Sequence, residues 1–350
     1  MIAVGGLLIY LAIARDYEPV LLLPIGFGAI LGNIPFSSAV GPSGPLTILY
    51  RAGIANELFP VLIFIGIGAM IDFEPLLENP AMILFGGAAQ FGIFATAVLA
   101  AMLGFSLKEA AAIGIIGSAD GPTTILVAAR FAPRLLGPLS VAAYSYMSLV
   151  PVIQPPVIRL LTTRSERCIR MPHPGGAKTP KIVKILFPIA VTLLAGAIAP
   201  MSAALVGLLM FGNLLRESGV VERLSRSAQN ELANVVTLFL GITIGASMEA
   251  NTFLSPRTLL ILAMGLGAFV FDTAGGILFA KFLNLFLRHK INPMIGAAGI
   301  SAFPMSGRVV AKMALREDVT NHIIMPAMGA NVAGQIGSVI AGALVLSLVK

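Results

Sequence analysis

Apolar runs separated by short polar interruptions fill nearly the whole chain. They cover roughly 1–14, 20–34, 58–71, 81–104, 110–131, 139–160, 185–199, 202–215, 232–248, 258–287, 294–315 and 322–349. About 20 apolar residues in a helix cross the ~30 Å hydrocarbon core of a bilayer. The pattern therefore predicts an all-α polytopic membrane protein. Two of the runs are interrupted: 110–131 at Asp120, and 294–315 near Pro304. A Pro/Gly/Ser-rich stretch at 35–45 reads as an irregular connection, with one short helix predicted at 46–52.

The long hydrophilic region is 162–184. It carries Arg164, Arg167, Arg170, Lys178, Lys181 and Lys184 against Glu166, with Pro172, Pro174, Gly175 and Gly176 in its middle. Basic loops mark the cytoplasmic face, so this region is expected to be a flexible cytoplasmic linker. It divides the chain into a first transmembrane repeat, 1–161, and a second, 185–350. Gly32-Asn33 recurs as Gly212-Asn213 at an offset of 180. Phe64 to Asp72 recurs as Phe239 to Glu249, offset 175 growing to 177. Ile113-Gly114, Gly117 and Pro122 recur as Ile295-Gly296, Gly299 and Pro304 at 182, and Gln154 meets Gln335 at 181. Repeats of this kind in transporters are often inverted, with discontinuous helices meeting near the bilayer midplane. Inversion needs an odd number of crossings per half. Six apolar segments per half satisfy it when the broken segment is a re-entrant hairpin, although its ten-residue arms also suit one broken spanning helix.

Composition narrows the function. At 57% hydrophobic and 11% charged, with mean hydropathy +0.94, the chain is not a soluble domain. Gly 37 and Pro 23 fit broken or closely packed helices. The single Cys168 excludes an internal disulfide, and His173, His289 and His322 form no metal-spaced set. The net charge of +7 reads as a topology signal and not as a nucleic-acid footprint. There is no nucleotide loop and no Ser/His/Asp arrangement.

The chemistry-bearing stretch is Gly117-Ser-Ala-Asp-Gly-Pro-Thr-Thr124. A central Asp in a membrane helix costs at least about 2.5–3.5 kcal/mol, and ionisable groups at that depth default to function. Gly121-Pro122 removes a backbone donor and frees carbonyls. Carboxylate, hydroxyls and free carbonyls are ligands for a small hard cation. In the second broken segment the candidates are Asn292, Gly296, Ser301 and Arg308; Ser301 falls opposite Ala119 in the repeat. For Ser301 the plain alternative is a hydroxyl bonded to its own helix, and for Arg308 a snorkelling side chain. Tyr144 and Tyr146 are candidates for an interface belt or a proton relay. Asn331 and Asp272 suit interhelical bonding, with a proton path through Asp272 as the sharper reading. Asp72, Glu74 and Glu78 read as a solvated connection.

At the 117–124 motif the chain resembles the membrane beta subunit of the sodium-translocating, biotin-dependent decarboxylases, which act on oxaloacetate, methylmalonyl-CoA, glutaconyl-CoA or malonate. The likeness extends to Tyr17-Glu18-Pro19 with 21–28, then 64–80, 142–151, Asn292 to Gly296, Ser301 to Arg308, and 328–334. Members generally carry additional N-terminal residues, and the 1–14 run is short for an upright span. The resemblance implies a subunit of the bacterial inner membrane that decarboxylates carboxybiotin, consumes a proton and exports Na+. The biotin would be carried by a partner, alongside a carboxyltransferase alpha subunit and a small gamma or delta membrane subunit, with this chain as a homotrimer. It implies catalytic roles for Asp120, Tyr146 and Arg308. Sodium ligands would be Asp120 and Ser301, with Asn292 and Asn331, and carboxybiotin would meet Arg308, Asn292 and Gly296. The residues alone serve equally well for a stand-alone sodium-coupled carboxylate transporter or a sodium/proton antiporter.

Overall fold

The computed structural model describes residues 1–15, 18–171, 179–198 and 200–349. Tyr17 and the middle of the linker, with His173 and Lys178, lie outside the described residues. Among the described residues the protein is helical, with no strand. In chain order the main helices are α1 (Ile2–Arg15), α2 (Pro19–Gly32), α3 (Leu58–Met70), α4 (Pro80–Met102), α5 (Leu107–Gly114), α6 (Gly121–Phe131) and α7 (Pro133–Leu161). The second half contributes α8 (Lys181–Ile198), α9 (Ala203–Ser218), α10 (Ala233–Ala246), α11 (Pro256–Phe286), α12 (Met294–Ala298), α13 (Met305–Glu317) and α14 (Ile324–Leu348). By length and composition α4, α7, α11 and α14 are able to cross a membrane. Pro45–Ile54 joins α3 through a 64° bend, placing a short helix where 46–52 predicted one.

Local signals set the boundaries. Ser106 and Glu109 form a reciprocal capping box at the start of α5. Ser255 accepts the Thr258 N–H to open α11, with Pro256 at the first position. α4 is a composite, with a turn at Ala89–Gln90 between two helical pieces.

The packing comes in matched pairs that join one half to the other. α2 lies against α10 and α3 against α9. A Cβ built on Gly32 would sit 2.4 Å from the Ala246 carbonyl oxygen, and one on Gly245 2.0 Å from that of Ile25. The other pair repeats this: a Cβ on Gly68 would sit 1.7 Å from the Leu209 carbonyl oxygen, and one on Gly212 2.0 Å from that of Ile65. Only glycine permits such backbone approach, the small-residue packing of membrane helices. Asn33 donates to the Met248 carbonyl at 2.9 Å, and Asn213 to the Ile71 carbonyl at 3.2 Å. These contacts fix α2, α3, α9 and α10 as one block. Beside it, α4, α7, α11 and α14 surround the two interrupted segments.

Candidate functional site

The first interruption is built from three local events. After α5 the chain tightens into a 3-10 turn at Ile115–Ser118. Ala119 then adopts φ 52, a left-handed conformation that costs an L-residue roughly 1–2 kcal/mol. Asp120 follows in extended geometry as the N-cap of α6, with Gly121 and Pro122 in the first turn. The Asp120 carboxyl therefore sits over the start of α6 and within reach of α14. Asp120 is 4% exposed. Its Oδ2 accepts three hydrogen bonds: from Thr123 Oγ1 at 2.7 Å, Ser338 Oγ at 2.7 Å and Gln335 Nε2 at 2.9 Å. Its Oδ1 accepts the Thr123 N–H at 3.4 Å.

The second interruption, between α12 and α13, comes to meet the first. The Ser301 N–H donates to the Ser118 carbonyl at 3.1 Å, so the two tips share a backbone bond. α14 crosses both. Ser301 Oγ donates to the Gly334 carbonyl at 2.8 Å, and Asn331 Nδ2 donates to the Ile300 carbonyl at 2.6 Å. Asp120 and Ser301 are thus held by adjacent residues of one helix, Gln335 and Gly334. The hydroxyl of Ser301 bonds across helices and not to its own. Gln154 of α7 braces the second tip, donating to the Ala297 carbonyl at 2.8 Å and to Ser306 Oγ at 2.9 Å.

The other predicted residues are distributed more widely. Asn292 directs its amide to the linker, donating to the Arg167 and Ile169 carbonyls at 2.8 and 2.9 Å and accepting the Met294 N–H. No hydrogen bond joins it to Asp120. Gly296 is a close-approach position: its Cβ would lie 1.9 Å from the Gly276 carbonyl oxygen. Tyr146 donates to the Leu262 carbonyl in α11. Tyr144 lies against the 117–124 motif: its ring carbon Cζ would be 2.1 Å from a Cβ on Gly121. Two residues apart on α7, the tyrosines point to different sides. Arg308 is exposed on α13 and makes no ion pair among the described residues.

Gln335 and Ser338 are site residues that sequence reasoning passed over. With Asn331 they stand at i, i+4 and i+7, a polar stripe on an otherwise apolar helix. That spacing was the available signal.

A family model described as "Na+-transporting oxaloacetate decarboxylase beta subunit" matches residues 1–349. The chain belongs to this family. It is 50% identical to the methylmalonyl-CoA decarboxylase subunit beta of Veillonella parvula over 350 residues, covering 100% of this chain and 92% of that one. It is 46% identical to the oxaloacetate decarboxylase beta chain of Klebsiella pneumoniae, over 100% of this chain and 94% of the relative. The glutaconyl-CoA decarboxylase subunit beta of Acidaminococcus fermentans is 48% identical, over 100% and 92%. The protein is accordingly a membrane subunit of a sodium-transporting decarboxylase.

The oxygen inventory at the tips suits sodium as cargo. Two of the three donors on Asp120 Oδ2, Thr123 and Ser338, are hydroxyls, which turn from donor to ligand by rotation. Asn331 Oδ1 and the Tyr144 hydroxyl are buried and without a hydrogen-bond partner. Buried polar atoms are ordinarily satisfied, and the Tyr144 ring packs on Gly121, next to Asp120.

Proposed function

We propose that this subunit couples the decarboxylation of carboxybiotin, delivered by a partner, to outward sodium transport. The observation that carries the reading is the buried Asp120 carboxylate at a chain break, on the seam where both tips and α14 meet. A carboxylate there holds a sodium ion by charge and loses it when protonated. Asp120 and Ser301 would be the primary ligands, with Asn331 closing the second side. Arg308, exposed and unpaired, would fork the carboxylate of the incoming carboxybiotin. When the partner supplies carboxybiotin, its N–CO2 bond breaks and the ureido nitrogen takes up a proton. Tyr146 would stand on the proton's route.

In this reading 1–161 and 185–350 are two inverted repeats, with the broken segments entering from opposite sides. The matched glycine contacts and the matched Asn33 and Asn213 bonds support a two-fold relation between the halves. The linker 162–184 would be cytoplasmic in a bacterial inner membrane. It is tied to the start of the second tip by Asn292 and to the end of α13 by Arg167–Glu317 at 2.9 Å. Asn292 and Gly296 would then shape the approach to Arg308. The partners would be a biotin carrier, a carboxyltransferase alpha subunit and a small gamma or delta subunit, with the chain as a homotrimer.

The test is sodium uptake by proteoliposomes containing the co-purified complex, started with the acyl substrate of the carboxyltransferase. Uptake should require that substrate and vanish when the complex is first treated with avidin. Substrate-driven uptake unaffected by avidin would favour a stand-alone sodium-coupled transporter.

A further inference from the structure

Asp272 is a second buried carboxylate, on α11, and the site above makes no use of it. It is 0% exposed. One oxygen, Oδ1, accepts the Ile93 N–H at 3.2 Å, and the Gly92 N–H is directed at the same carboxyl. These amides open the second piece of α4, so Asp272 caps a helix end left bare by the turn at Ala89–Gln90. The other oxygen, Oδ2, is buried and has no partner. It faces the first tip: a Cβ on Gly117 would lie 2.7 Å from it. Thr96 lies one turn beyond Gly92 on the same face of α4, is 1% exposed, and its hydroxyl also lacks a partner.

Repeat symmetry sharpens the point. Gln90 precedes Asp272 by 182 residues, the offset that relates the two tips. It stands behind the second tip, donating to the Gly86 carbonyl at 2.9 Å. One half therefore meets the packing need with a neutral amide. The other half uses an acid, which an apolar interior does not tolerate ionised without a counter-charge.

We propose that the Asp272 carboxylate and the Thr96 hydroxyl form a second monovalent-cation site behind the first tip, taking sodium or a proton. It goes beyond the role given to Asp120 and stands on different atoms. Through Gly117, three residues before Asp120, occupancy of one site bears on the turn that holds the other.

The experiment measures the thermal unfolding midpoint of the purified complex in sodium chloride against choline chloride, and across pH. The series is parent, Asp120→Asn, and Asp120→Asn with Asp272→Asn. Asn keeps the Oδ1 cap and removes only the charge. For a sodium site, Asp120→Asn retains a sodium-dependent rise that the double variant loses. For a proton site, it retains instead a pH-dependent step that the double variant loses. If the two variants respond identically to sodium and to pH, the proposal is overturned. Should the double variant fail to fold, the isosteric Thr96→Val in the Asp120→Asn background must diminish whichever response remains; no change there overturns the proposal as well. Identical responses from the parent and Asp120→Asn would count against the Asp120 assignment alone.

Discussion

Replacing Asp120 with Asn removes a charge and little else. The three donors on Oδ2 place strong demands on whatever occupies that position. The Thr123 and Ser338 hydroxyls rotate freely, but Gln335 offers an N–H at 2.9 Å, so Asn must present its oxygen there. Each bond then changes from charge-assisted to neutral, a loss of about 1 kcal/mol apiece. Relief of the buried charge, worth several kcal/mol, offsets this. Folding and assembly should therefore survive. Sodium binding should not. Two unit charges 4 Å apart at an effective dielectric of 20 attract by about 4 kcal/mol, roughly a thousandfold in affinity. The assay is the sodium dependence of decarboxylation by the purified complex, with subunit content checked by gel filtration. A half-saturating sodium concentration within tenfold of the parent, in an intact complex, would refute the assignment of Asp120 as the principal ligand.

Gly68→Ala should lower the thermal midpoint, because the Leu209 carbonyl must retreat about 1.7 Å to reach an ordinary 3.4 Å contact; overpacking of this kind costs about 1–3 kcal/mol. Gly245→Ala should behave alike, whereas Gly6→Ala, with nothing within 4 Å, should be neutral or gain about 0.5–1 kcal/mol. Arg308→Ala should reduce carboxybiotin turnover roughly 10- to 100-fold in kcat/KM, the worth of a charge-assisted bond, while leaving half-saturation by sodium unchanged; a shift confined to sodium would move Arg308 to the ion path. Hydrogen bonds from Thr320 and the nearby Arg170 hold the Asp318 carboxyl down at about 2. A depressed carboxylate stabilises above its unfolded value and loses that contribution as pH falls through the folded one. The Asp318 contribution to docking of 164–170 on the end of α13 should accordingly be full at pH 5 and fade between about pH 4 and 2, read as weakened hydrogen-exchange protection of that segment.

Much of the site was legible because membrane burial makes polar residues conspicuous. Asp120, the Gly121-Pro122 break and the second break near Pro304 stand out against apolar runs, and both interruptions occur where expected. The short helix after 45 was also visible, since its Pro and Gly flanks punctuate it. What could not be read was partnership across long separations. Gln335 and Ser338 lie 215 and 218 residues from Asp120, and no local pattern says which helix crosses which tip. Gln335 entered only as the repeat mate of Gln154. The choice between neighbouring tyrosines likewise depends on the rotation of α7, which apolar periodicity leaves open when all faces of a helix are buried or in lipid. Asn292 entered through its place in a motif, and the linker carbonyls that its Nδ2 meets, 125 and 123 residues away, were not legible.

The glycine faces have a consequence for biosynthesis. The surface of α2 that carries Gly32 closes on Ala246, synthesised 214 residues later. At about 5–20 residues per second, the early helices wait on the order of 10–40 s in the bilayer before their mates arrive. Throughout that interval their bare backbone ridges must be shielded by lipid or by the insertion machinery. Neither half, expressed alone, can bury the surface the other was made to cover.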